Sequence, residues 1–188
     1  MRAQEAFEEM VAQNIGPSLK ASGFKRSKAT FHRPVGDNWE VVNLQRSRYS
    51  DREVVRFTVN LAVGIGRLRE GVLTWADGKR PNEYKCHFRE RLGILSSGRD
   101  TWWRVSPDTN VVELAEAVLL AIETYGLPWL EARSTDEGLR SVARSDLSRV
   151  YAHHLDILAR LMDDLGDEQA GAMIERELQR RGAVRGSL

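Results

Sequence analysis

The chain has one cysteine, Cys86, in 188 residues. That excludes an intramolecular disulfide and a structural zinc held by several thiolates. Such sparing use of thiols suits a reducing compartment, so the expectation is a cytoplasmic protein. Long apolar runs are missing too. No stretch approaches the roughly 18 apolar residues that span a bilayer. The most apolar helical stretch, residues 111–122, carries Glu113 and Glu116. The opening residues, MRAQEAFEEMV, lack the apolar segment of a secretory signal, so no membrane association is expected. Net charge is only +1, too little to draw nucleic acid or an anionic surface by its field. Lysine is confined to positions 20, 25, 28, 79 and 85, and the other 23 of the 28 basic residues are arginine. Arginine favours bidentate anion contacts, although codon bias produces the same excess.

Catalytic patterns are missing as well. No Walker-type loop and no HExxH occurs, and Gly64-Ile65-Gly66 is a fragment of a dinucleotide fingerprint without the βα turn it needs. Ser97 is flanked as in a turn, not as in a nucleophile elbow. Of the histidines at 32, 87, 153 and 154, the adjacent pair diverges by about 100° on a helix and cannot grip one ion together. His153 with Asp156 supplies two ligands and no third is visible. His154 lies on an apolar stripe and reads as a packing histidine. The expectation is no metal, no cofactor and, on balance, no enzyme.

What is present is organised around residues 39–64. WEVVNLQRSR, a charged turn, and VVRFTVNLAVG read as a β-hairpin. In the return strand Val55, Phe57, Val59, Leu61 and Val63 alternate with Arg56, Thr58, Asn60 and Ala62, the period of a half-buried strand. If paired positions sum to about 101, Val42 faces Val59 and Leu44 faces Phe57. The other face then sets Asn43 opposite Thr58, Gln45 opposite Arg56 and Val41 opposite Asn60.

Elsewhere, residues 3–22 show a helical spacing at Phe7, Val11, Ile15 and Leu19. Gly16-Pro17 should kink or end that helix, and Gly23 suits its C-terminal cap. KATFHR is a strand with Phe31 inward, and PVGDN is a turn. Residues 64–82 read as a long loop with one short element at 72–75. YKCHFRERL alternates, with Tyr84, Cys86 and Phe88 on one face and Lys85, His87, Arg89 and Arg91 on the other. Residues 96–100 form a turn and TWWRV a short strand, with Trp102 and Trp103 on opposite faces. A helix follows Asn110, capped by Asp108 or Thr109 and ended by Gly126, with Trp129 tucked back against it. Its stripe is Val111, Ala115, Val118, Ile122 and Tyr125. Three more short helices begin at Ser134-Thr135-Asp136-Glu137, at Ser145 or Asp146, and after Gly166-Asp167.

This order predicts an α+β fold: an antiparallel sheet of about five strands, with an N-terminal helix and a C-terminal group of helices packed on one face. The expected division is an α+β core over 1–133 and a helical extension over 134–188.

The polar sheet face is where the sequence hints at function. Two asparagines and a glutamine are poor strand formers, and their amides read polar edges with direction. Such a face is often merely solvated. Otherwise it is bonded to a ligand or to the 65–82 loop. The candidate ligand-binding set is Asn43, Gln45, Arg56, Thr58, Asn60, His87 and Arg89.

Several ordered blocks carry a resemblance. They are Leu19-Lys20-Ala21-Ser22-Gly23-Phe24-Lys25-Arg26, Thr30-Phe31-His32-Arg33, Val42-Asn43-Leu44-Gln45-Arg46-Ser47, Arg56-Phe57-Thr58-Val59-Asn60-Leu61 and Tyr125-Gly126-Leu127-Pro128-Trp129-Leu130. Together, over about residues 5–132, the chain resembles the bacterial domain-of-unknown-function family 4304. The resemblance implies a small cytoplasmic bacterial protein and places Asn43, Gln45 and Asn60 in a family pattern. It carries over no catalytic residue and no cofactor.

Two readings of function stand apart. One is a non-catalytic binding module of immunity or regulatory type that covers another protein, with an exposed tryptophan or arginine patch. The other is an enzyme or binder of a small polar or anionic ligand, with Arg56 as anion clamp and His87 as acid–base group. It requires Asn43, Gln45, Arg56, Asn60 and His87 to converge in a pocket. Nucleic-acid binding through Arg89, Arg91 and Arg104 is disfavoured by the near-zero net charge. The identity of any partner and the oligomeric state lie beyond the sequence.

Overall fold

The N-terminal helix runs through its glycine-proline pair instead of stopping there. The computed structural model, which describes residues 2–69, 75 and 79–182, shows α1 (Ala3–Glu9), a π-helical turn (Met10–Ile15) and α2 (Gly16–Ala21) in unbroken succession. The Gly16 N–H bonds the Val11 carbonyl, five residues back. This wider turn changes the hydrogen-bond register just before Pro17, which has no N–H to give and would crowd an ordinary α turn. The helix ends as expected at Gly23, whose φ is 89°. The Phe24 and Gly23 N–H groups return to the Leu19 and Lys20 carbonyls, each at 3.0 Å.

Among the described residues the sheet has six strands: β1 (Lys25–Ser27), β2 (Thr30–Val35), β3 (Asn38–Arg46), β4 (Val55–Gly64), β5 (Phe88–Arg91) and β6 (Trp103–Val105). All pairings are antiparallel and run β1-β2-β3-β4-β5, with β6 also paired to β4. The β3–β4 register sums to 103, so Val42 faces Leu61, Asn43 faces Asn60 and Gln45 faces Thr58. The expected sum of 101 is off by two residues. A two-residue slip leaves every side chain on its predicted face. The cause is a longer connection: Ser47 still bonds Arg56, and the turn is closed by Asp51, whose carboxylate accepts from the Glu53 and Val54 N–H groups.

On the apolar face, Val55, Phe57, Val59, Leu61 and Val63 are all fully buried. Phe7 of α1 meets Phe57 with ring centroids 5.2 Å apart, and Trp103 stacks on Phe57 at 5.7 Å. A further helix system joins this unit. It comprises α3 (Leu92–Ser97), α4 (Val111–Ala121), a second π turn (Ile122–Gly126) and α5 (Leu127–Ser134). Asn110, not Asp108 or Thr109, caps α4 by accepting from the Val112 and Glu113 N–H groups. Gly126 does not end this helix. The Leu127 N–H reaches the Ile122 carbonyl, and the chain stays helical through Pro128 and Trp129. The extra residue in the wide turn swings Tyr125 outward and puts Gly126 against the sheet. A Cβ on Gly126 would sit 3.4 Å from the Leu61 methyls.

Residues 84–92 also differ from expectation. Only 88–91 extend, 83–85 form a 3-10 turn, and Leu92 opens α3. The element expected at 72–75 lies outside the described residues apart from Trp75.

The chain divides into two compact units, Met1–Leu130 and Glu131–Leu188. The first holds the sheet. The second is helical: α6 (Asp136–Ala143), a 3-10 turn (Leu147–Arg149), α7 (Ala152–Asp164) and α8 (Glu168–Arg180). Thr135 caps α6 by accepting from the Gly138 N–H. Asp146 caps the 3-10 turn, so the helix expected from there begins later, at Ala152. Gly166, at φ 64°, ends α7, and Asp167 caps α8 by accepting from the Ala170 N–H at 3.1 Å. The Asp167 carboxylate also pairs with Arg144 at 2.6 Å, and these bonds hold it below the usual carboxylate range. Arg181 donates to the carbonyls of Leu147, Val150 and Ser148, fastening the end of α8 to the turn before α7. His154 is buried, and His153 stacks on Tyr151 at 5.8 Å.

Candidate functional site

The pleat puts Thr30, His32, Val41, Asn43, Gln45, Arg56, Thr58, Asn60, Ala62, Arg89 and Arg91 on the face away from the N-terminal helix. At its centre the amides bond one another across three strands. Asn60 Nδ2 donates to Gln45 Oε1 at 2.8 Å and to Asn43 Oδ1 at 3.3 Å. Asn43 Nδ2 passes the chain on to Thr30 Oγ1 at 2.8 Å. Asn60 is buried, Asn43 half-buried and Gln45 exposed, so the ladder runs from the core to the solvent. Thr58 is fully buried and donates to the Thr101 carbonyl at 3.0 Å. That approach depends on Gly93, where a Cβ would lie 2.5 Å from the Thr101 nitrogen. Beside it Arg91 covers the Trp102 ring at 5.3 Å and pairs with Asp100, which also accepts from the Trp102 indole at 3.1 Å.

One end of the face is roofed. Cys86 is buried with Val41 and Ala62, and burial pushes its thiol up. The Trp75 ring and Pro81 lie over Gly64. His32 donates from Nε2 to the Pro81 carbonyl at 3.0 Å, while its Nδ1 is buried and meets no partner among the described residues. His87 Nδ1 accepts from the Ile65 N–H at 2.9 Å and its Nε2 lies 3.1 Å from the Leu68 carbonyl. An accepting Nδ1 requires the proton on Nε2, which therefore donates. Both imidazoles are held below the usual value, His87 by burial, and His32 by burial with the Arg80 charge adding to it.

The expected site therefore comes together only in part. Asn43, Gln45, Thr58 and Asn60 are neighbours. Arg56 is exposed near the start of β4, beside Arg104 of β6. His87 meets Ile65, just past the other end of β4, roughly 30 Å away at the rise of an extended strand. Arg89 is drawn to Glu83 at 2.7 Å. An anion clamp at Arg56 working with an acid–base group at His87 is excluded by this separation. The alternation read over 84–92 fails here too. Cys86 lies on the polar-face side with Arg89, because the chain turns at 83–85 and does not run on as a strand.

A second feature went unread in the sequence. Between α1 and the β1–β2 turn lies a groove of about 450 Å³. Phe7 and Val11 form its floor, and Arg26, Lys28 and Arg46 its rim. The basic run Lys25-Arg26-Ser27-Lys28 was its only sequence signal. Nothing in that run told that β1 and β3 carry their cations to one place.

Residues 15–132 match the model of a family described as a domain of unknown function (DUF4304). No curated protein and no solved structure matches the chain.

Proposed function

We propose, from the premise that the chain belongs to the DUF4304 family, that it is a non-catalytic binding module of immunity or regulatory type. Its setting is the bacterial cytoplasm and it acts by covering another protein. The observation that carries this reading is the state of the polar sheet face. Asn60, Asn43, Gln45 and Thr30 bond one another, and the His87 imidazole bonds backbone on both nitrogens. A catalytic or small-ligand site keeps its donors and acceptors convergent on a space that a substrate fills. Here the same groups hold strands and loops together, so recognition falls to the surface. The single cysteine, buried in the sheet unit, fits a reducing compartment. No helix among the described residues is long and apolar enough to cross a membrane.

The test is crosslinking of the tagged full chain in its source cells, run beside a thermal-shift screen of small anions and metabolites. The expected result is one protein retained at near-equal amount, by wild type and by Asn43→Ala alike, with no small molecule raising Tm. The reading goes if no protein is retained and a small molecule stabilises wild type but not Asn43→Ala.

A further inference from the structure

We propose that the groove between α1 and the β1–β2 turn is the docking site for an acidic, partly apolar peptide segment of the partner protein. The inference rests on the binding-module reading above and names the chemistry of that partner.

Charge is the first argument. Arg26, Lys28 and Arg46 are all exposed at the rim, against the single carboxylate of Glu8, which is already engaged by Gln4. Arg46 leans over the Phe7 ring at 6.0 Å and donates to Gln4. Apolar floor and cationic rim thus belong to one surface.

Spacing is the second. Arg26 pairs with Phe31, which pairs with Val42, so Arg26 sits level with Val42 in the sheet. The β1–β2 turn lies level with Leu44, whose N–H bonds the Ala29 carbonyl at 2.9 Å. Arg46 is two residues further along β3. The cations therefore spread over about 13 Å at the rise of a strand. Cations that converge suit one phosphate or one carboxylate. Cations spread along an apolar floor suit a chain with carboxylates at intervals and apolar side chains between.

The third argument is backbone strain. Lys28 has φ 56°, the one non-glycine residue at positive φ among the described residues. Side chains rarely adopt that conformation, and retained strain marks functional positions. Basic residues on an edge strand also deter strand pairing. That protective role is met by Lys25 and Arg26 in relaxed backbone and does not call for a lysine where glycine fits best.

The experiment uses the full chain and a fluorescein-labelled dodecapeptide that alternates glutamate with leucine. Its control has lysine in place of glutamate. Binding is read by anisotropy and mapped by amide chemical shifts. The expected result is sub-millimolar affinity for the acidic peptide, at least tenfold weaker binding of the lysine peptide, and shifts centred on Phe7, Val11 and Ala29. Lys28→Gly with Arg26→Gln should weaken binding at least tenfold, and Lys28→Gly alone should weaken it without lowering Tm.

Equal binding of both peptides overturns the proposal, as do shifts centred elsewhere. Displacement of the peptide by equimolar glutarate would put a small anion in the groove, and self-association lost in the double variant would put a second copy there. Either result overturns it too. A cellular partner retained equally by the double variant overturns the groove and leaves the binding-module reading standing. Absence of any partner removes both.

Discussion

At the scale of the residue, the ladder through Asn60 shows how a polar group is made to hold a fold. Asn60 is buried, and its amide nitrogen serves two acceptors on β3. Asn60→Ala removes both bonds, but Gln45 is exposed and its carbonyl recovers water. The expected loss is about 1–2 kcal/mol, read as a lower urea midpoint at unchanged slope. An Asn43→Ala, Asn60→Ala cycle should show coupling of about 0.5–1.5 kcal/mol, because the pair shares one network. The histidines give a pH signature. Both are held below 6.5 in the folded chain. Below that pH the unfolded chain binds more protons than the folded one. Their contribution is thus fully present above about pH 6.5 and is lost as pH falls through the folded-state values. Urea midpoints measured from pH 7.5 to 5.0 should fall, and His87→Gln should flatten the fall while lowering the midpoint throughout. The residue types of this face were legible in the sequence, as poor strand formers kept in a strand. Their saturation was not, because it depends on which side chains become neighbours across three strands.

At the scale of the element, the two π turns are the main departure from what the sequence suggests. Gly16-Pro17 and Gly126-Leu127-Pro128 carry the usual signals of helix termination. Local propensity favours a stop at each. The packing of Phe7 on Phe57, and of the second helix on Leu61 and Leu92, favours continuation. A wide turn reconciles the two by changing the hydrogen-bond register before the proline. Gly126 then becomes a contact residue, with Leu61 and Leu92 methyls 3.4–3.5 Å from where a Cβ would be. Gly126→Ala should be close to neutral, since helix propensity gains what the tight fit loses. Gly126→Val should cost about 1–3 kcal/mol by overpacking, checked by thermal denaturation of the pair. The hairpin was read on its correct faces because alternation fixes parity. Its register was not, because that depends on how the turn closes, with the Asp51 carboxylate accepting from the Glu53 and Val54 N–H groups and the Ser50 hydroxyl from the Arg56 N–H, which alternation does not encode.

At the scale of the whole molecule, the chain is two compact units whose boundary falls inside α5. The first contains the whole sheet and the helices that bury its apolar face. The order of elements made this α+β class legible, since helix, strands and then helices occur in separate runs. The matched family region ends near the same place, at residue 132. A fragment of residues 1–134, which keeps α5 intact, should fold alone. Its amide spectrum should overlay that of the full chain for β2, β3 and β4, and the expectation fails if the fragment gives only the narrow dispersion of an unfolded chain.

The lone thiol offers a clock. Cys86 is packed against Val41 and Ala62, and its conversion to the reactive thiolate is suppressed. A disulfide reagent can reach it only when residues 81–87 lift from the sheet. At moderate reagent concentration the labelling rate then reports how often that roof opens, independently of global unfolding. His32 clasps the roof to β2 through Pro81, so His32→Ala should quicken labelling severalfold in the absence of denaturant. Asn60→Ala weakens the face beyond the roof, so labelling should keep close to its wild-type pace. One native sulfur, with no introduced probe, separates the breathing of the roof from the strength of the sheet beneath it.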